Sequence, residues 1–172
     1  MNKDQYKREN VPRAKLKKIL PTHEKIQSQK MLKIFGKLLH KREIWSLSRK
    51  KILGGVFIGV FVAFIPMPLQ MLLVTFLAII FNVNLPITIL LVWISNPLTM
   101  PFIYYVEYEL GNFLLNVKDP IEFSFETMNE NISEIALSLY LGTAVICVVF
   151  AFLSVFILNI LWIKEVKKKR KY

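Results

Sequence analysis

The middle of this 172-residue sequence has almost no side chains for acid–base or metal chemistry. From Ile52 to Val106, 55 residues pass without one Asp, Glu, Lys, Arg or His. General acid–base and metal-assisted reactions need such groups at the reacting centre, so no enzyme, no metal site and no cofactor is expected there. The two histidines, His23 and His40, lie in a basic N-terminal arm, where solvation accounts for both. The single cysteine, Cys147, sits in an apolar stretch and excludes an intrachain disulfide or a cysteine-based metal site. The first 25 residues are basic and polar with no apolar core segment, so no secretory signal peptide is expected.

What is present is apolar surface and segregated charge. Hydrophobic residues make up 54% of the chain, yet its net charge is +11. Residues 1–51 carry 16 of the 23 Lys and Arg, and residues 164–172 carry six more. Residues 107–134 carry seven acids, beginning with Glu107 and Glu109, against Lys118 alone. Bases that flank apolar runs point to anionic lipid head groups as partner and away from nucleic acid. Read with the positive-inside rule, both termini face the cytoplasm and 107–134 lies across the membrane as a loop.

The second apolar run, Ile135–Ile163, is 29 uncharged residues, about 43 Å as a helix, and crosses a bilayer once. Asn131 and Glu134 resemble a capping box at its start, and Trp162 with the bases from Lys164 onward anchors its end. If both termini share a side, the 52–106 run crosses an odd number of times. Three complete spans need about 60 residues before any turn. Five prolines cut the 55 available into unequal pieces: Pro66, Pro68, Pro86, Pro97 and Pro101. The favoured arrangement is a re-entrant hairpin, 52–65 and 69–81, followed by one broken span over about 86–106. Three tilted spans that recruit residues 45–51 and 108–117 are the alternative.

The prolines mark joints, and each joint has polar residues beside it. Pro68 suits the first position of a helix, and Gln70 is placed to satisfy carbonyls freed by the break. At Asn82–Pro86, Asn suits a surface turn or cap and Pro86 suits the first helical position. In Ser95-Asn96-Pro97-Leu98-Thr99-Met100-Pro101, Asn96 caps a helix starting at Pro97, but Pro101 clashes with the carbonyl of Pro97. The segment therefore unwinds or restarts at Pro101. Gln70, Ser95, Asn96 and Thr99 are the candidate binding residues, since broken backbone is tolerated in a bilayer only where it is buried in protein or lines a wet cavity. Gly55, Gly59 and Ala63 form a small-residue stripe for packing the hairpin arms, for packing on the 135–163 helix, or for a homodimer face.

Met31, Ile34, Phe35, Leu38 and Leu39 recur at helical spacing among Lys30, Lys33, Lys37, Lys41 and Arg42, which predicts a basic amphipathic juxtamembrane helix within 26–51. The segments are then a flexible arm 1–25, that helix, a broken-helix membrane core 52–117, an acidic loop 118–134, a transmembrane helix 135–163 and a basic tail 164–172. The expected fold is an all-α integral membrane protein of short proline-broken or re-entrant helices plus one long C-terminal helix.

The run Ile65-Pro66-Met67-Pro68-Leu69-Gln70-Met71, then Asn84-Leu85-Pro86, Trp93–Pro101, Tyr104-Tyr105 and Gly111, resembles a bacterial family, domain of unknown function 2062. The resemblance covers about Lys37 to Asn116. It implies a small inner-membrane protein. Some family members are joined to glycosyltransferase domains, which implies a link to envelope lipid or glycan assembly. Two roles follow: binding or moving a small polar or lipid-linked solute at a broken-helix site, or acting as an accessory or scaffold protein with an envelope-assembly partner. The charge asymmetry makes a direct prediction. Reporter fusions at Lys118 and at Tyr172 register opposite sides of the membrane; the same side for both contradicts the parity argument.

Overall fold

A computed structural model describes residues 20–22, 26, 29–119, 121 and 132–170. Among them the chain is helical throughout, with no strand. Within the described residues five α-helices follow two short 3-10 helices: α1 Arg49–Ala63, α2 Gln70–Ile80, α3 Leu85–Val92, α4 Met100–Leu115 and α5 Ile132–Arg170. The breaks between α1 and α4 fall at the prolines, because a ring without an N–H cannot continue a helix ladder. Pro68 lies two residues before α2, Pro86 is the second residue of α3, and Pro101 the second of α4. The helix therefore restarts at the last proline, one of the two outcomes read from the sequence.

The hairpin α1–α2 and the third piece α3 form one packed unit. α1 and α3 run parallel, since Gly54 and Gly55 meet Val83, Asn84 and Thr88, while Gly59 meets Thr88 and Leu91. The stripe at Gly55 and Gly59 thus faces α3, and neither the other hairpin arm nor α5 takes it; Ala63 is buried with them. The reason is proximity: a Cβ on Gly59 would lie 2.9–3.2 Å from α3 atoms, so only glycine lets the backbones approach. Leu85, Ile89, Val92, Val62, Val74 and Ala78 fill the core among α1, α2 and α3.

α5 runs antiparallel to both α1 and α4. The Arg49 guanidinium donates to the Asn159 side-chain oxygen (Nε–O 3.1 Å), Phe57 meets Phe152 edge-on with ring centroids 5.2 Å apart, and the Tyr140 hydroxyl donates to the Pro66 carbonyl at 3.2 Å. From Asn159 to Tyr140 α5 rises about 29 Å, so the hairpin tip reaches nearly the far end of the apolar stretch. Trp162, expected as an interfacial anchor, is instead buried with Ile52, Val56, Val60 and Ala151.

The closest approach is at α4–α5. A Cβ on Gly111 would stand 1.7 Å from the Ser138 carbonyl oxygen, and one on Gly142 would stand 1.8 Å from that of Glu107. Backbone rests on backbone at both points.

Three sequence expectations change. Residues 107–115, grouped with the loop by their charge but with the 52–117 core by segment, are the last turns of α4, because no proline or glycine pair interrupts them. Asn116 in the left-handed conformation (φ 55°) ends the helix, its N–H bonding back to Asn112 and Phe113. α5 does not stop at Ile163 but continues through the basic tail to Arg170. The arm is not one α-helix over 26–51: it forms 3-10 helices at Lys30–His40 and Arg42–Trp45, because Gly36 (φ 41°, ψ −118°) breaks the first. Leu32, Leu39 and Ile44 are buried there, while Ile34 is 80% exposed. Residues 1–19, most of the acidic 118–134 segment and the Asn131–Glu134 capping box lie outside the described residues and side chains.

The glycine crossing is directly testable. Gly111→Ala and Gly142→Ala each force a helix backbone to shift and cost about 3 kcal/mol or more, whereas Leu137→Ala on the exposed face of α5 stays within about 0.5 kcal/mol. Unfolding of the three purified variants in SDS titrations measures the difference.

Candidate functional site

The first joint, between α1 and α2, leaves the last carbonyls of α1 without helical partners. Gln70 supplies them. Its side-chain Nε2 donates to Ala63 O at 3.3 Å and to Ile65 O at 2.6 Å. Its Oε1 accepts the Ser95 hydroxyl at 3.0 Å. The amide is 6% exposed and Ser95 7%, so this contact ties the first joint to the third inside the core. Ser95 also approaches Val92 O, at 3.1 Å.

The third joint is a closed turn. Asn96 Oδ1 accepts the N–H of Leu98 (2.9 Å) and of Thr99 (3.2 Å), and its Nδ2 donates to Trp93 O at 3.3 Å. The Thr99 hydroxyl accepts the Asn96 N–H at 3.0 Å and donates to Ile94 O at 2.6 Å. The Asn96 carbonyl accepts from Met100, and that of Thr99 from Ile103, which starts α4. Asn96 thus caps a turn over Pro97–Thr99, and α4 follows immediately. The structure joins Gln70 to Ser95 and Asn96 to Thr99, and neither of the two cavities described below is lined by any of the four.

The second joint holds a residue that the sequence reading took for surface. Asn84 is fully buried. Its Oδ1 accepts the Ile87 N–H (3.0 Å), its Nδ2 donates to Ser46 O (3.0 Å), and its carbonyl accepts the Thr88 hydroxyl (2.6 Å). Its own N–H reaches Lys51 O at 3.0 Å. One asparagine therefore caps α3 and fastens it to the approach of α1. The neighbouring Asn82 adopts φ 54° and donates to the Glu43 carboxylate, leaving its Oδ1 buried without a partner.

A second unforeseen group is Glu107. It is fully buried in the α4–α5 crossing, where Oε2 accepts the Thr143 hydroxyl at 2.8 Å and Oε1 has no partner. Its place beside Gly142 is set by the crossing, which brings residue 107 opposite 142–143. Two signals in the sequence pointed there: Gly111 one turn after Glu107, and the small pair Ser138 and Gly142 four residues apart in α5. Among the described residues no three His, Cys, Asp or Glu side chains group as a metal site.

Two cavities are described. One, of about 490 Å³, lies under the Pro66–Pro68 bend between Met100, Tyr104, Leu139 and Tyr140. The other, of about 570 Å³, opens between the start of α1 and the end of α2. Neither is lined by Gln70, Ser95, Asn96 or Thr99.

The fold is thus a set of short helices joined at prolines, with the joints closed by amide and hydroxyl side chains, and one long apolar helix laid against them. The chain belongs to the bacterial family described as "Uncharacterized protein conserved in bacteria (DUF2062)", whose model matches residues 32–171 and so takes in α5 as well. No curated protein and no solved structure matches it.

The Gln70–Ser95 contact predicts a specific pattern of stability. Gln70→Leu orphans two carbonyls and costs about 2–3 kcal/mol, and Ser95→Ala costs about 1 kcal/mol. Because the two share one hydrogen bond, the double variant costs less than the sum by about 0.5 kcal/mol or more. A double-mutant cycle in detergent measures the coupling.

Proposed function

We propose that this protein is a multi-pass inner-membrane protein that works as an accessory or scaffold component of envelope assembly, without catalysing a reaction itself. The observation that carries this reading is the use of the polar side chains at the joints. Gln70, Ser95, Asn96 and Thr99 all bond to the chain's own backbone or to one another. A solute site needs donors and acceptors turned toward a cavity, and these are turned toward the breaks.

Membrane placement rests on α5. Within Ile135–Lys168 an 18-residue window has a mean hydropathy of 2.9, yet only 17% of that window is buried. The core helix of a water-soluble domain has the opposite burial. Phe152, Phe156, Leu161, Phe102 and Phe113 extend the outward apolar surface over α5 and α4, a surface too large for water. In this reading α1 and α2 form a deep hairpin that enters and leaves on the cytoplasmic side. α3 and α4 together make one broken crossing outward, and α5 returns. Arg49, Lys50 and Lys51 then share a face with the basic end of α5, in agreement with the contact of Arg49 to Asn159. Family membership supports a bacterial setting.

The scaffold reading separates from solute binding in one experiment. In a deletion strain, Asn96→Ala and Gln70→Ala proteins that reach the membrane in normal amount restore the wild-type envelope lipid and glycan profile, and mild detergent extracts the chain with a stoichiometric partner. Loss of function with normal folding and abundance, or purification as a lone monomer, contradicts it.

A further inference from the structure

The cavity between α1 and α2 combines three features that no joint needs. Its walls are apolar, formed by Phe57, Ile58 and Phe81 with Gly54 between them. Its rim carries Lys50 and Lys51. It is also lined by Asn82, whose Oδ1 is buried without a hydrogen-bond partner. At about 570 Å³ the space lies within the range of roughly 300–1,000 Å³ typical of small-molecule sites.

Each feature constrains the occupant. Lys50 is exposed; the Lys51 ammonium donates to Glu43 O at 2.7 Å, and an ammonium has further donors for an anion. The Glu43 carboxylate, which accepts from Asn82 Nδ2, sets one negative charge against the two positive charges of Lys50 and Lys51, so these groups together are net positive. An acceptor left unpaired inside protein is costly, and Asn82 Oδ1 is satisfied by a ligand that donates a hydrogen bond. Phe81 is 64% exposed and continues into the outward faces of Ile80 and Phe76, so the cavity opens onto the apolar surface of α2. An occupant with a negative charge, a hydroxyl and a long apolar body meets all three.

We propose that this cavity binds one anionic phospholipid with a hydroxylated head group, its phosphate on Lys50 and Lys51, its hydroxyl on Asn82 Oδ1 and an acyl chain between α1 and α2 along Phe57, Ile58 and Phe81. The site rests on the membrane placement argued above and is independent of the scaffold role.

Native mass spectrometry of the full chain released from detergent tests it with three lipids: phosphatidylglycerol, phosphatidylmethanol (same charge, no hydroxyl) and phosphatidylcholine. A single phosphatidylglycerol is retained more tightly than phosphatidylcholine by about tenfold or more, with phosphatidylmethanol between them. Lys50→Ala with Lys51→Ala removes the preference for anionic lipid. Asn82→Gly, which tolerates the positive φ, removes only the preference for phosphatidylglycerol over phosphatidylmethanol. Should the double variant misfold for want of the bond to Glu43, Lys50→Ala alone lowers phosphatidylglycerol affinity about fivefold. Equal retention of the three lipids by wild type, or variants that leave the preferences unchanged, overturns the site. Displacement of the lipid by millimolar inorganic phosphate overturns it in favour of a soluble anion. A protein recovered outside the membrane fraction defeats the membrane placement itself; a membrane-embedded protein with no lipid preference defeats only this site.

Discussion

A backbone carbonyl or amide without a partner in an apolar medium costs several kcal/mol, and this chain breaks its helices repeatedly in its longest uncharged stretch. Every break frees such groups, so the architecture stands only where the sequence supplies replacements. Gln70 reaches back to Ala63 and Ile65. Asn84 bonds Ser46 and Ile87. Asn96 and Thr99 close the turn from Trp93 to Met100. With the joints closed, helices of 8–16 residues can fold back beside one another. Gly55 and Gly59 then let α1 lie against α3, and the Ser95–Gln70 contact fixes the two outer joints together.

The second constraint is the α4–α5 crossing, where glycine brings backbone onto backbone at Gly111 and Gly142. In the membrane reading proposed here these helices gain no hydrophobic drive from meeting, so close packing and interhelical hydrogen bonds hold them. The Thr143 hydroxyl on the Glu107 carboxyl is such a bond. It places an acid inside the packed core beside α5, although the charge-free run of the sequence ends one residue before it. The basic ends, by contrast, gather at one side: Arg49 of α1 meets Asn159 near the lysines that finish α5.

Much of this was legible in the sequence. Proline positions located every joint, and Gln70 and Asn96 were readable as residues that replace lost backbone partners. The length of the apolar pieces against the bilayer predicted the hairpin, whose tip lies close to Tyr140. Three things were not legible. Asn84 looks like any turn asparagine until the fold buries it, because local pattern does not say which turn lies inside. Glu107 was grouped with the far-side loop because the segregated acids begin there, whereas α4 runs eight residues further and packs it against α5. The arm carried an amphipathic pattern, but Gly36 broke it into 3-10 pieces, and helical spacing alone does not weigh one glycine.

The central claim is that the polar side chains at the joints close the fold and do not line a water-filled site. Thiol accessibility at position 95 tests it most directly. In a Cys147→Ala background, Ser95→Cys places a thiol of similar size in the contact with Gln70. Reaction in native membranes with a methanethiosulfonate ethylammonium reagent, which attacks thiols that meet water, then reports the environment. The account predicts no modification until the protein is unfolded in SDS. Rapid modification of the native protein contradicts it and places a solvated cavity at the joint.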